Sequence, residues 1–118
     1  MAEPEAFLAV DFSQLERVAA GDGALVLEVL GLFCEQAPVW TADLSAAAPE
    51  AAFRAAAHSL KGSALAIGAV ALAQACQAAE EGAFPEPADR APLAERVQAA
   101  LLRTMAEIEA YRSARAGA

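Results

Sequence analysis

Histidine is almost absent from this sequence of 118 residues, in which His58 is the only one. A protein zinc site needs three or four ligands, and one histidine with two distant cysteines does not supply them. Cys34 and Cys76 lie 42 positions apart without a CxxC pair, and each stands among apolar residues. We therefore expect two buried, unpaired thiols and no metal site.

Basic residues are also few, with eight Lys and Arg against sixteen Asp and Glu and a net charge of −8. Affinity for nucleic-acid phosphates requires a basic patch that releases counterions, so we expect no nucleic-acid partner. The sequence contains no glycine-rich phosphate cradle either, and free nucleotide is therefore not an expected ligand.

Long apolar runs are missing as well. No uninterrupted apolar segment reaches the roughly 18 to 20 residues that cross a bilayer. The sequence opens with Glu3-Pro4-Glu5 in place of a basic targeting segment. These features predict a cytoplasmic protein that does not associate with membranes.

What the chain does contain is typical of packed helices. Hydrophobic residues make up 58% of it, and much of that share is alanine, the strongest helix former. Alternating strand patterns are absent, and the length suits one compact core. We predict a single all-α domain over residues 1–118, with a core bundle over about 22–112. Its architecture would be an antiparallel up-down four-helix bundle with short N-terminal helices packed against it.

Capping and helix-breaking residues divide the chain. Asp11 and Asp22 can each accept a hydrogen bond from the backbone at a helix start. Pro38 lacks a backbone N–H and predicts a kink or a break in the second helix. The predicted helices cover residues 12–20, 23 to about 47, 50–67, 70–83 and 92–112, and residues 113–118 are predicted to fray.

One helix face in the middle of the chain points to the core. Its apolar positions recur at spacings of four, three, four and three: Phe53, Ala57, Leu60, Ala64 and Ile67. At about 100° per residue, His58 lies about 140° from the centre of that face, so its ring should reach solvent. Arg54, Lys61, Gly62 and Leu65 fall on the same outer side.

A turn near Ala69 would bring His58 level with Glu80, since each lies eleven residues from that turn. A carboxylate that accepts from Nδ1–H would leave the Nε2 lone pair free as a nucleophile. In a slightly rotated helix, Glu81 would accept from Nδ1–H equally well. The alternative interpretation of Glu80 is an ordinary solvated charge. An idle surface or core residue is the alternative for His58 itself.

The chemistry around His58 favours phosphoryl transfer over hydrolysis. Ser59 and Ser63 point about 100° and about 140° away from His58 along the helix, so neither completes a Ser-His-Asp arrangement. A phosphoryl acceptor needs a neutral nucleophile, a nearby cation and open access for a donor protein. His58 and Lys61 supply the first two. Gly62, which costs about 1 kcal/mol relative to alanine in a helix interior, would leave room for the donor.

These residues resemble those of the histidine-containing phosphotransfer (HPt) domain of bacterial multistep phosphorelays. The matching segment reads Ala57-His58-Ser59-Leu60-Lys61-Gly62-Ser63-Ala64 and is followed by Ile67-Gly68, Leu72 and Glu80. Weaker family-like patterns extend from residues 33–38 to the end of the helix predicted over 70–83. The resemblance covers about half of the chain.

The resemblance implies a carrier that accepts a phosphoryl group on His58 from a receiver-domain aspartate of a hybrid histidine kinase and passes it to a response regulator. It implies that Lys61 provides positive charge, that Gly62 admits the receiver and that Glu80 orients His58. No intrinsic cofactor and no kinase or phosphatase activity are implied, and Mg²⁺ is expected only in the receiver. Since 118 residues hold no ATP-binding segment, we expect a stand-alone carrier.

Four residues are candidate contacts to the receiver domains: Arg54, Leu65, Gln77 and Phe84. Leu65 and Phe84 have an alternative interpretation as edges of the core, and Gln77 as a solvated residue. The alternative function is a non-catalytic helical adaptor or inhibitor that docks a signalling partner. We expect a monomer, although the broad apolar arc from Leu25 to Cys34 leaves a dimer contact open.

Overall fold

The computed structural model describes residues 9–116, whose regular structure is entirely helical. The helices are α1 (Phe12–Val18), α2 (Gly23–Thr41), α3 (Glu50–Ile67), α4 (Val70–Glu81) and α5 (Ala91–Ala116), with a 3-10 turn at Pro87–Arg90. Helix α4 packs against α3 and α5, α2 packs against the same two helices, and α1 lies on α2 and α3. The predicted all-α bundle, with a short helix against it, is confirmed.

Both predicted helix caps are present. Asp11 accepts a hydrogen bond from the backbone N–H of Gln14 at 3.3 Å, and Asp22 accepts one from that of Leu25 at 3.1 Å. Each side chain satisfies one of the four N–H groups that a helix start leaves without a partner. Helices α1 and α4 each end two residues earlier than predicted.

Helix α2 continues through Pro38, so the predicted break there is wrong. Pro38 lies in the last turn, where its missing N–H removes only one bond, and the Thr41 hydroxyl donates to the carbonyl of Ala37 at 3.0 Å. The helix ends at Thr41 instead of near Ala47. Turns and bends follow over residues 42–48 and bury Leu44.

By length and composition alone, α2 would be able to cross a membrane, since it has 19 residues with a mean hydropathy of 1.3. Glu28 and Glu35 interrupt its apolar residues, so this helix does not contain an uninterrupted apolar run of that length. In the structure α2 is a helix of the bundle and contributes to the core Val26, Leu30, Phe33 and Ala37. Three of its other apolar side chains are exposed: Leu25, Leu32 and Val39.

The end of α5 differs from the prediction, because residues 113–116 are helical instead of frayed. The Arg115 guanidinium lies 3.6 Å from the centre of the Tyr111 ring and 3.4 Å from a carboxylate oxygen of Glu16. These contacts tie the last turn of α5 to α1. The final two residues of the predicted frayed segment lie outside the described part of the chain.

The tight connection between α3 and α4 determines how the two helices meet. Gly68 has a φ of +83°, in the left-handed region that favours glycine. A Cβ at Gly68 would lie 2.6 Å from the carbonyl oxygen of Asp11, whose N–H donates to the Gly68 carbonyl at 2.8 Å. Glycine is therefore required here both for the backbone turn and for the close approach of the N-terminal segment.

The buried face of α3 agrees with the prediction, since all five of its predicted core residues are buried: Phe53, Ala57, Leu60, Ala64 and Ile67. Both cysteines are free thiols. The prediction that both are buried is correct for Cys76 and wrong for Cys34, which is half-buried on the α2 surface that faces Arg112.

Candidate functional site

His58 projects from the solvent-facing side of α3, and its side chain is 68% exposed. Its Nδ1 lies 2.8 Å from Oε2 of Glu80 on the neighbouring helix α4. A carboxylate can only accept, so Nδ1 carries the proton and donates it. In the neutral ring with this tautomer, the Nε2 atom keeps its lone pair. Glu80, and not the alternative Glu81, is the carboxylate beside the imidazole, as the symmetric placement about the turn predicts.

Lys61 reaches the same carboxylate from one turn further along α3. Its Nζ lies 2.9 Å from Oε1 of Glu80 and also donates to the side-chain oxygen of Gln77 at 2.9 Å. The two oxygens of Glu80 therefore contact one group each, His58 and Lys61. Lys61 therefore links α3 to α4 through both Glu80 and Gln77.

The contact with Lys61 lowers the pKa of Glu80 most strongly, and the contact with His58 lowers it further, while partial burial acts in the opposite direction. Glu80 is therefore an ionised acceptor at neutral pH. A charged carboxylate is the form that best accepts from an imidazole N–H. The site holds a carboxylate between the Lys61 ammonium and the His58 imidazole.

Glu81 lies next to Glu80 in the chain and faces a different group. Its carboxylate accepts a hydrogen bond from the side-chain amide of Gln77. Gln77 thus bridges Lys61 and Glu81, with its oxygen toward the first and its nitrogen toward the second. The receiver contact predicted for the half-buried Gln77 remains a prediction.

Gly62 lies on the exposed surface of α3, one turn beyond His58. A Cβ built at this position has no heavy atom within 4 Å outside its own stretch of helix, so packing within the protein does not require a glycine here. Glycine nevertheless costs about 1 kcal/mol relative to alanine in a helix interior. The open surface beside His58 agrees with the predicted role of Gly62 in access, which remains a prediction.

Leu65 follows on the same side of α3 and is 51% exposed. It borders a shallow depression of about 200 Å³ between α3 and α4, lined by Lys61, Leu65, Val70, Ala73, Gln74 and Gln77. Val70 is also largely exposed. A partly apolar surface therefore lies beyond Lys61 on the side of α3 that carries His58, where Leu65 was predicted to contact a partner.

Phe84 does not lie on this surface, so its predicted role as a receiver contact is wrong. Its side chain is only 8% exposed, and its ring packs edge-on against that of Phe53 with centroids 5.4 Å apart. Phe84 would share one flank with Gln77 and Glu80 only on a continuous helix, but the chain leaves α4 at Gly82 with an extended backbone. The alternative interpretation, an edge of the core, holds for Phe84.

The sequence analysis did not predict the contacts that Arg54 makes within the protein. Its guanidinium turns toward the end of α4. It donates to the backbone carbonyls of Glu80 and Gly82, the second at 2.7 Å. It also pairs with Glu50 at 2.9 Å and lies 4.4 Å from the centre of the Phe84 ring. The spacing of four between Glu50 and Arg54 is the only signal of this arrangement in the sequence.

Cys76 is not part of the candidate chemistry. Burial raises the pKa of the Cys76 thiol to about 12, so the nucleophilic thiolate is not formed at neutral pH. Among residues 9–116 no three His, Cys, Asp or Glu side chains are grouped so that they could hold a metal. His58 is the one exposed nucleophile beside Lys61 in the described part of the chain.

The lowered pKa of Glu80 predicts a pH dependence of stability. In the unfolded chain the carboxyl titrates near its ordinary value of 4.5, and in the folded chain it titrates lower. Its stabilising contribution is therefore present above pH 4.5 and is lost as the pH falls through the folded pKa. We expect the thermal midpoint of the native protein to exceed that of Glu80→Gln at pH 6 to 7, with a difference that shrinks toward pH 3.

Measuring both proteins at each pH subtracts the contributions of the other carboxyl groups. A difference in midpoint that stays constant from pH 7 to pH 3 would contradict the ion pair with Lys61. High salt should reduce the difference, because part of this site is exposed.

The chain is similar to a known protein family and to a solved structure. The family model of the Hpt domain matches residues 28–112, which is more than two thirds of the chain. The crystal structure of the histidine phosphotransferase ShpA from Caulobacter crescentus is similar over 92% of this chain and 94% of that chain, with 40% sequence identity and a TM-score of 0.76. No curated protein sequence matches the chain.

Proposed function

Since this chain belongs to the Hpt domain family, the phosphotransfer proteins of phosphorelays, we propose that His58 accepts a phosphoryl group from a receiver-domain aspartate of a hybrid histidine kinase and passes it to a response regulator. The observation that carries the proposal is the exposed imidazole whose Nδ1 donates to Glu80 at 2.8 Å. That hydrogen bond leaves Nε2 as the nucleophile.

The transfer needs no proton from another group. The Nε2 lone pair attacks phosphorus, the N–P bond forms as the P–O bond to the aspartate breaks, and the aspartate leaves as a carboxylate. Nδ1 keeps its proton, so the phosphorylated ring is an imidazolium. Glu80 faces that positive charge and stabilises it, as the carboxylate of a Ser-His-Asp triad does for its histidine. Transfer to the second receiver reverses these steps.

Lys61 and Gly62 act on the phosphoryl group and on the donor. The Lys61 ammonium lies on the same side of α3 as the imidazole and offsets the charge on the transferred oxygens. Gly62 lets the backbone of the receiver approach Nε2 closely. The receiver supplies Mg²⁺, and this chain needs no cofactor of its own and has no kinase or phosphatase activity.

The docking surface is the partly apolar depression that begins at Lys61, one turn beyond His58, with Leu65 and Gln77 as contacts. Carriers that exchange partners quickly use small interfaces, and this depression has an exposed apolar side chain and a polar rim. The protein acts as a monomer in the cytoplasm, where it meets both receivers in turn through this one surface.

A substitution of Leu65 tests the docking surface. We expect Leu65→Asp to raise KM for the phosphorylated receiver by about tenfold, equivalent to about 1.4 kcal/mol, because it places a charge in an apolar contact. Circular dichroism should be unchanged, since the side chain is 51% exposed. Leu102→Asp is the matched control, because Leu102 is 71% exposed on α5. Equal KM values for the two variants would exclude the proposed surface.

A two-step transfer assay tests the relay itself. The chain is first labelled by a phosphorylated receiver domain from a hybrid kinase and purified away from it. Addition of the receiver domain of a response regulator should then move the label from the chain to that receiver. A label that stays on the chain with every response regulator tried would contradict onward transfer, and a chain that is never labelled would support the adaptor or inhibitor.

A further inference from the structure

We infer that Arg54 is a positioning residue that sets the orientation of His58 by holding the last turn of α4, an inference that rests on the proposed function of His58. Arg54 lies one turn before His58 on α3, so both side chains reach across to the same neighbouring helix. His58 contacts the carboxylate of Glu80, and Arg54 contacts the backbone carbonyl of the same residue. Glu80 is held at two points.

The end of α4 needs such a contact. A helix leaves its last four carbonyl groups without intrahelical partners, and many helices satisfy them with a left-handed glycine. Gly82 instead adopts an extended conformation with φ −65° and ψ 159°. The last turn of α4 has no basic residue of its own. The guanidinium of Arg54 supplies both hydrogen bonds and positive charge to this end.

The remaining contacts of Arg54 keep its guanidinium in place. Its Nε and Nη2 donate to one oxygen of Glu50 at 3.0 and 2.9 Å. The guanidinium lies over the ring of Phe84, with 4.4 Å between its carbon and the ring centre. Phe84 is itself anchored in the core by Phe53. A planar fork that meets a carboxylate, two carbonyls and an aromatic face is a role lysine cannot fill.

These contacts explain how a carboxylate near a helix end can orient an exposed ring. Glu80 is the penultimate residue of α4, and a helix end without partners frays. Movement of its backbone would move the carboxylate away from Nδ1 and allow the proton to occupy Nε2, which removes the nucleophile. The alternative is the predicted role of Arg54 as a receiver contact. Only the positioning role requires Arg54 to affect the His58 tautomer in the protein without a receiver.

The test is the ¹⁵N NMR spectrum of the His58 ring in the free protein, combined with phosphoryl transfer. In the native protein the ring nitrogens should report a proton on Nδ1. In Arg54→Gln we expect a mixture of the two tautomers and transfer slowed by about tenfold, comparable to the lower end of the loss when a metal-bound histidine loses the partner of its other ring nitrogen. Glu50→Gln is the matched control, because it leaves both carbonyl contacts of Arg54 intact, and it should keep the native tautomer.

The ring spectrum needs no receiver, so it tests the inference even if the chain transfers no phosphoryl group. A native tautomer in Arg54→Gln would overturn the inference, and slow transfer with that spectrum would assign Arg54 to the receiver contact. If Arg54→Gln does not fold, Arg54→Lys provides the same comparison. Lysine keeps the charge and loses the fork, so a native tautomer in that variant would equally overturn the inference.

Discussion

Replacing His58 with glutamine is expected to abolish phosphoryl transfer and to leave the fold unchanged. The glutamine amide has no nucleophilic lone pair comparable to Nε2, and removal of a nucleophile lowers activity by more than about a thousandfold in enzymes. The fold should persist because the side chain is 68% exposed and its hydrogen bond is to Glu80 alone. The effect on transfer is therefore far larger than any effect on stability.

The measurement is the amount of label that His58→Gln takes from a phosphorylated receiver, next to its circular dichroism and thermal midpoint. Ser59→Ala is the matched control, because Ser59 is the exposed neighbour of His58 on α3. It should accept label at the native rate. Labelling of His58→Gln at more than a trace level would show that another residue accepts the phosphoryl group.

Replacing Gly62 with leucine is expected to change transfer and stability in opposite directions. Leucine is a better helix residue than glycine by roughly 0.5–1 kcal/mol, and the space beyond Gly62 is open, so the variant should be as stable as the native protein or more stable. Its side chain would stand between the receiver and Nε2. A displacement of about 1 Å of the reacting groups can cost about a hundredfold in rate, and we expect a loss of that size.

A series of side chains makes this test quantitative. Gly62→Ala should show most of the gain in thermal midpoint with a smaller loss of transfer, since one methyl group blocks less space. Ala106→Leu serves as the control, because Ala106 is exposed on α5 and does not lie on the helix that carries His58. Transfer by Gly62→Leu at the native rate would show that the missing side chain at position 62 is not needed for the receiver to reach Nε2 of His58.

The pairing of His58 with Glu80 was predictable because it depends on a local feature. A left-handed glycine at position 68 reverses the chain within two residues, so residues at equal distances from the turn lie level on two antiparallel helices. The choice of Glu80 over Glu81 follows from the rotation of α4, which is set by its buried residues Leu72, Cys76 and Ala79. The sequence alone left that choice open.

The role of Phe84 and the contacts of Arg54 were not predictable in the same way. Both depend on where α4 stops, and helix ends are decided by a few residues whose alternatives differ little in energy. Had the helix continued, Phe84 would lie in line with Gln77 and Glu80. Because the chain turns outward at Gly82, the ring folds back onto Phe53 and lies under Arg54.

The effect of Pro38 on helix α2 was also not predictable from the local sequence alone. A proline predicts a kink or a break from local geometry, but its effect depends on how much helix follows it. In α2 only three residues follow Pro38 before the helix ends at Thr41. The helix therefore loses one hydrogen bond near its terminus and remains continuous.

The most direct test of the central claim is the chemical identity of the bond formed when a phosphorylated receiver domain is mixed with the native protein. We expect label on the peptide that contains His58, labile in acid and stable in base, as an N–P bond to imidazole requires. A label lost in base would instead be an acyl phosphate on Asp or Glu, which is also lost in acid, or a phosphate ester on Ser or Thr, which is stable in acid. That result would contradict the assignment of His58 as the phosphoryl acceptor.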